Sequence, residues 1–424
     1  MSKISEKLRL IFGDKSLRGR ILFVLGILAI SRLLAVIPIP GIDTLRLQSL
    51  FAGNEFLNLL NLFSGGGLSN LSIVMLGVGP FITASIIMQL LTVMVPKLKA
   101  LNHEEGEAGR RRFTQYSRML TVPLAIIQGY TFIKLLQGQQ ILPQLSLNIF
   151  VVDILVIVAG SLLLMWLGEL ITEFGVGNGV SLIIFAGIVS QLPTTVSQLF
   201  FTFDPAQLPI YVVGLAVALL VIFGVVVVTE AERPIPITYA KQVRGGGRTT
   251  GGLSTYLPLR VNQAGVIPII FALSILIFPQ MIFQFLSGST VAAVASVSKM
   301  LLALLANNWF YTSAYFVLVF FFTYFYTAVT FDPDSISTNL QKSGAFVPGV
   351  RPGEATADYI SRIVTRLTLV GALFLGVIAV LPLILRSLTG IQALAIGGTA
   401  LLIVVSVVID LIKKIDSQVS AREY

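Results

Sequence analysis

Bond-making chemistry needs nucleophiles, bases or metal ligands, and this chain supplies few of them. It has no Cys and a single His, His103. A thiol nucleophile, a disulfide framework and a cysteine-held metal or iron–sulfur centre are therefore excluded. His103 lies in a charged stretch with Glu104, Glu105 and Glu107, which leaves zinc without a ligand set and an intramembrane serine protease without a base beside its nucleophile. Gly245, Gly246, Gly247, Gly251 and Gly252 resemble a phosphate loop in composition only. A phosphate-cradling loop closes with Gly-Lys-Ser/Thr, whereas Gly252 is followed by Leu253, so a flexible hairpin tip is the reading. No catalytic constellation, cofactor or metal site is expected, and the chain does not read as an enzyme.

Those few groups sit in a chain built for lipid. Of 424 residues, 55% are hydrophobic and 12% charged, with a mean hydropathy of +0.90. A soluble domain carries about twice that share of charge. Ten apolar windows run near 21–38, 73–95, 116–136, 149–172, 179–200, 210–229, 264–286, 309–330, 367–385 and 393–412, most of them close to the length that crosses a bilayer. An even number of spans puts both termini on one side. Of the 29 Lys and Arg, 24 fall on that side and five, Arg32, Arg46, Lys134, Lys299 and Arg386, fall elsewhere. Positive loops stay cytoplasmic, so both termini are expected inside. The N-terminus, residues 1–20, places Ile4, Leu8, Ile11 and Phe12 at helical spacing among six basic residues. That suits either an amphipathic helix on an anionic leaflet or a plain basic flank.

The net charge of +9 is spread over inside loops near 96–115, 231–263 and 331–366 rather than gathered on one module. Two readings are open for these loops: topology signals, or a docking platform. An ion-coupled transporter needs ionisable groups at the membrane midplane. The available ones, Arg32, Lys134, Asp153 and Glu169, sit mostly near span ends.

Two irregular features remain. Between the first two spans, an apolar run from Phe56 to Phe63 is followed by Ser64-Gly65-Gly66-Gly67. It is too short to cross, so it is either re-entrant beside a cavity or an external helix on the bilayer. Val78 and Ile82, Val180 and Ile184, and Val266 and Ile270 are aliphatic pairs one helical turn apart, each close to glycine or proline. Each pair shares a helix face. They are either packing positions or parts of a hydrophobic constriction that seals by dewetting.

Several separated stretches are similar to the SecY family, the channel subunits of the bacterial Sec translocase. They include Ile37-Pro38-Ile39-Pro40-Gly41-Ile42-Asp43, Phe63-Ser64-Gly65-Gly66, Gly79-Pro80-Phe81-Ile82 leading to Gln89-Leu90-Leu91, Glu105-Gly106-Glu107-Ala108-Gly109-Arg110-Arg111 and Gly175-Val176-Gly177-Asn178-Gly179. Leu257-Pro258-Leu259-Arg260-Val261-Asn262, Gly265-Val266-Ile267-Pro268 and the run from Lys342 through Val347-Pro348-Gly349-Val350-Arg351-Pro352-Gly353 complete them. The last is the most specific.

The resemblance implies an all-α polytopic membrane protein with ten spans in two inverted five-helix halves. The halves would be residues 21–200 and 201–412, flanked by the cytoplasmic N-terminus 1–20 and a tail 413–424. It implies a pore ring at Val78, Ile82, Val180, Ile184, Val266, Ile270 and Ile403. Valine at three of these positions, where the family is richer in Ile, implies a slightly wider constriction. A re-entrant plug near 56–70 would use Leu59, Leu60, Leu62, Phe63, Gly65, Gly66 and Gly67. A lateral gate between spans two and three and spans seven and eight would carry Thr83, Gln89 and Asn262. Arg351, between Pro348-Gly349 and Pro352-Gly353, and Arg244 and Arg248 on the preceding loop would dock partners.

Those partners would be the SecA motor ATPase or a ribosome, with SecE-like and SecG-like small membrane subunits, signal sequences, nascent polypeptides and anionic lipid. The location would be the bacterial cytoplasmic membrane. The expected function is a gated conduit for unfolded secretory chains that also releases transmembrane segments sideways, driven by a partner. A secondary transporter for a small solute is the rival from another class, and an intramembrane enzyme is the third.

Overall fold

The structure is a computed structural model; it describes residues 14–39, 61, 64, 66–68, 70–103, 106–138, 142, 146–201, 208–239, 242–244, 248–250, 254–288, 291–389 and 392–420. Its first part holds α1 (Lys15–Leu34), α2 (Gly79–Met94), α3 (Pro96–His103), α4 (Gly106–Gly138), α5 (Leu147–Phe174) and α6 (Gly179–Phe201). After α7 (Leu208–Glu230) come strands β1 (Glu232–Tyr239), β2 (Gln242–Arg244), β3 (Arg248–Thr250) and β4 (Ser254–Arg260). Helices α8 (Ile267–Leu286), α9 (Ala292–Ala306), α10 (Asn308–Thr330) and α11 (Pro333–Lys342) come next. Strand β5 (Ala345–Phe346) then precedes α12 (Glu354–Thr389) and α13 (Gln392–Ser420).

All ten apolar windows coincide with helices, and α3, α9 and α11 are extra. Among the described residues, six helical stretches are long and apolar enough on their own to cross a membrane. Helix α2, at 16 residues, covers about 24 Å and falls short alone. The turns from Leu71 to Val78 complete the crossing. That irregular backbone is shielded: Leu71, Val74, Met75 and Val78 are all buried, the condition under which non-helical chain is tolerated at membrane depth. Helix starts reflect local chemistry. The Asp14 carboxylate accepts from the Ser16 N–H at 2.8 Å to cap α1, six residues before the apolar window begins, and Asn178 Oδ1 accepts from the Ser181 N–H at 3.1 Å to cap α6.

The spans form two groups with the same internal packing. In the first, α1 packs on α5 and α6, α2 on α4, α4 on α5, and α5 on α6. In the second, α7 packs on α12 and α13, α8 on α10, α10 on α12, and α12 on α13. Each of these pairs in one group has its counterpart in the other, five spans on, and in the first group α2 also touches α5. An odd number of spans per group inverts the second relative to the first. The groups meet where α8 packs on α2 and α4, and where α6 packs on α13.

The repeat extends to single residues. Gly77-Val78-Gly79-Pro80-Phe81-Ile82 introduces α2 and Gly265-Val266-Ile267-Pro268-Ile269-Ile270 introduces α8. The leading glycines have φ of 59° and 61°, a left-handed turn that favours glycine. Five residues before each valine, a backbone carbonyl presses on a glycine of the fourth span of its half: Ile73 on Gly160 of α5, and Val261 on Gly371 of α12.

Within this helical frame, a small sheet forms at one end of the bundle. Strand β1 lies between β4 and β5, antiparallel to both, with Ile235 opposite Leu257 and Thr238 opposite Phe346. Its apolar side, Ile235, Leu259 and Val347, is buried against Ile360, Ile363 and Val364 of α12. Pro234 and Pro236 share the parity of Thr238, which faces the short β5. They remove the N–H donors between Glu232 and Thr238 at that parity, which makes the edge a poor template for a further strand.

Candidate pore, gate and docking face

The seven proposed ring positions come from four helices or their immediate approaches: Val78 and Ile82 at α2, Val180 and Ile184 on α6, Val266 and Ile270 at α8, and Ile403 on α13. All but Val180 are buried, and Val180 packs against the same apolar cluster that contains the other six. The α5–α6 elbow sets the two α6 residues. Thr172 Oγ1 accepts from the Gly179 N–H at 2.9 Å. A Cβ on Gly179 would collide with the Gly168 carbonyl and lie 2.7 Å from Ile171 Cβ. Only glycine therefore lets α6 start this close to α5, with Val180 and Ile184 facing inward.

A cavity of about 300 Å³ opens on the side of the bundle that carries the sheet. Asn178, Ser181, Asn262, Gln263, Arg260 and Lys413 contribute to its polar wall, while Val266, Leu182 and Val407 contribute to its apolar part. Of the seven ring positions, Val266 is the one that lines it.

At the seam between the halves, α8 lies against α2 and α4. Thr83 Oγ1 donates to its own helix, to the Gly79 carbonyl at 3.0 Å. Asn262 is buried; its Nδ2 donates to the Gly265 carbonyl at 3.1 Å and braces the turn into α8. The buried oxygens Gln89 Oε1 and Asn262 Oδ1 have no hydrogen-bond partner among the described residues. The three proposed gate residues are therefore not hydrogen-bonded to one another. Two hold local backbone, and two leave a buried acceptor at the helices that meet.

Of the proposed plug residues, Leu59, Leu60, Leu62, Phe63 and Gly65 lie outside the described residues. Gly66, with φ of 87°, and Gly67 are described. A Cβ at Gly67 would meet Ser72 Oγ at 2.9 Å and the Val74 carbonyl at 3.1 Å. The Ser72 N–H donates to the Gly67 carbonyl at 2.9 Å, and Ser64 Oγ accepts from the Leu68 N–H at 3.0 Å. The glycine turn is thus fastened to the approach of α2, beside the first ring position.

A family model described as SecY matches residues 72–412. The chain belongs to the SecY family. A protein translocase subunit SecY of Mycobacterium tuberculosis (strain ATCC 25618 / H37Rv) is 44% identical over 428 residues, with 96% of each chain covered. One from Corynebacterium glutamicum is 43% identical, with 97% of each covered. A solved structure described as a protein conducting channel matches with a TM-score of 0.65 at 19% identity, covering 94% of this chain and 92% of that one. Sec61 in the canine ribosome–channel complex from the endoplasmic reticulum matches at 0.60 and 18%, with the same coverage. As in its SecY relatives, the function is that of a protein-conducting channel in a membrane, without bond chemistry of its own.

In this SecY-family chain the proposed docking residues share the sheet end. Arg351 is exposed on a loop whose base is rigid. The Val350 N–H donates to the Val347 carbonyl at 3.1 Å, Thr356 Oγ1 to the Arg351 carbonyl at 2.8 Å, and Ser337 Oγ to the Gly353 carbonyl at 2.6 Å. Gly349 and Gly353 supply the left-handed turns on either side, with φ of 81° and 100°. Arg244 and Arg248 face each other as Cα partners across the β2–β3 hairpin.

Sequence reasoning missed two ion pairs at this end of the spans. Lys413 of α13, which lines the cavity, has its Nζ 2.9 Å from Glu230 Oε1 of α7. Arg118 Nε of α4 bonds Glu169 Oε1 of α5 at 2.6 Å. Hydropathy places Arg118, Glu169, Glu230 and Lys413 near span ends on one side, but their pairing depends on which helices pack together. Arg32, near the other end of α1, donates from Nη1 to Ser190 Oγ of α6 at 3.3 Å.

Proposed function

We infer that this chain forms the conduit of a Sec-type translocase. An unfolded secretory chain would enter from the sheet side through this cavity and cross a constriction made by Val78, Ile82, Val180, Ile184, Val266, Ile270 and Ile403. The observation that supports this reading is the junction of the halves: six of the seven aliphatic positions, carried by four helices, two from each half, are buried in the apolar core, and one of them, Val266, also lines the cavity on the sheet side. Aliphatic side chains suit the task. They hold no fixed hydrogen bonds that must break, and a narrow apolar ring excludes water and ions by dewetting.

The proposed gate is the seam where α2 and α4 face α8 and α10. An apolar signal sequence that wedges it open would reach lipid directly, and the plug near 56–70 would move aside. Residues 21–200 and 201–412 would act as the two halves, with residues 1–20 and 413–424 on the inside. Both termini would be cytoplasmic and the membrane the bacterial cytoplasmic one, supported by the 24 basic residues on that side. Free energy would come from a docked partner, the SecA motor or a ribosome, meeting Arg351, Arg244 and Arg248. The relation to a ribosome-bound Sec61 supports the second of these. SecE-like and SecG-like subunits would complete the unit, with anionic lipid around the basic loops.

The test is reconstitution in vesicles with a motor and an unfolded precursor. The channel reading expects partner-dependent precursor protection and no uphill solute accumulation. It also expects Ile184→Ser and Ile270→Ser to raise ion leak without abolishing transport. Accumulation of a small solute driven by an ion gradient would replace it with the transporter reading.

A further inference from the structure

Helix α9, Ala292–Ala306, joins α8 to α10 at the end of the bundle opposite the sheet. At 15 residues it is too short to cross a bilayer. Its inward face, Ala295, Ser298, Leu301, Leu302 and Leu305, is buried or half-buried, and α9 packs on both α8 and α10. The outward half is divided lengthwise. Val297, Met300 and Leu304, at steps of three and four residues, form an apolar flank that is 57%, 71% and 40% exposed. Ser296 and Lys299 are exposed on the opposite flank.

The junction with α10 fixes the depth and orientation of α9. Asn307 ends α9 and caps α10, its Oδ1 accepting from the Trp309 and Phe310 N–H groups at 3.0 and 3.4 Å. No flexible linker separates the two helices. Trp309, 71% exposed, and Phe310 then stand at the first turn of a span, and exposed Trp at a span end marks the headgroup level of a bilayer. The apolar flank of α9 therefore begins at the level where α10 enters the membrane.

We propose that α9 is an interfacial helix, with Val297, Met300 and Leu304 seated among the acyl chains of the leaflet opposite the sheet, and Ser296 and Lys299 facing water and headgroups. Lipid is the occupant that fits. A surface with large apolar side chains on one flank, and Ser296 and the helix's one charge, Lys299, on the other, suits the boundary of two media, and α10, which follows directly, also exposes Val317 and Phe321. Since α9 packs on α8 and α10 together, its seating ties the outer ends of these two helices to one leaflet.

The absence of Cys allows a clean test. Single cysteines at positions 296, 297, 299, 300 and 304, all exposed, carry nitroxides in the full chain reconstituted in phosphatidylethanolamine–phosphatidylglycerol vesicles. Collision with lipid-dissolved oxygen is compared with collision with a water-soluble nickel chelate present on both sides. Oxygen should dominate at 297, 300 and 304, and the chelate at 296 and 299. Chelate dominance at all five positions would put α9 in water. Protection of 297, 300 and 304 from both reagents would mean that protein, rather than lipid, covers the flank. Either result overturns the proposal.

Discussion

Substituting Gly371 by Ala tests whether the approach to α8 is held within its half by a close glycine seat. A Cβ there would stand 2.8 Å from the Val261 carbonyl oxygen and 3.7 Å from Asn262 Cα. Ordinary carbon–oxygen contact begins at about 3.3 Å, so backbone must yield by roughly half an ångström. Overpacking of this kind costs about 1–3 kcal/mol, against a gain of at most about 1 kcal/mol from Ala in a helix. The net expectation is a loss of about 1–2 kcal/mol, borne by the segment that leads into Val266 and Ile270. Gly26→Ala in α1 is the control, because its Cβ would meet nothing within 4 Å, and it should be neutral or stabilising. Thermal unfolding in one detergent should rank Gly26→Ala at or above the parent and Gly371→Ala below it. Vesicle ion leak should rise for Gly371→Ala alone. Equal melting temperatures for the two variants, with unchanged leak, would refute the close-seat reasoning.

Other expectations rest on single contacts. Thr172→Val deprives the Gly179 N–H of its acceptor and should cost about 1–2 kcal/mol in chemical unfolding, where Thr172→Ser should cost less. Gln89→Leu removes a buried acceptor that has no partner among the described residues and should favour the shut seam by about 1 kcal/mol. Transport of a precursor with a weakly apolar signal should then fall severalfold while a strongly apolar one is spared. Arg351→Glu, on an exposed loop tip, should leave the melting temperature unchanged and reduce motor-stimulated transport at least about tenfold, a loss of 1.4 kcal/mol or more. The Asp332 carboxylate, which caps α11, is held below its ordinary pKa chiefly by the Ser335 hydroxyl, then by the Ser335 and Asp334 N–H groups and the Lys99 charge. Its stabilising effect is full above the ordinary carboxylate value and is lost as pH falls through the lowered one. Asp332→Ala should therefore differ from the parent in stability at neutral pH and converge with it in strong acid.

Hydropathy made the ten spans legible because crossing a bilayer demands long apolar helices whatever they pack against. It placed the start of the first span at residue 21 because Arg18 and Arg20 lower the local average; the helix begins at Lys15 because Asp14 caps it there. The ring pairs Val78–Ile82 and Val266–Ile270 were visible, but their place in a repeated Gly-Val-x-Pro-x-Ile turn was not. Six residues in an apolar background carry little signal until two equal glycine dihedrals are seen. Strand β1 was hidden by its prolines, which argue against a central strand, and by its pairing with β5 more than 100 residues later. The alternation of Ile235 and Ile237 was the available clue. Helix α9 was missed because a window set for spans passes over 15 residues.

The central claim is that a polypeptide passes between the two halves at the proposed ring. A cysteine at Ile184, 1% exposed, is tested for disulfide formation with a cysteine in a stalled secretory precursor. A cysteine at Leu215, 64% exposed on the outward surface of α7, is the control. The account predicts a crosslink at position 184 only, and only with precursor and energy source present. Transport that proceeds with no crosslink at 184, or with an equal crosslink at 215, would contradict it.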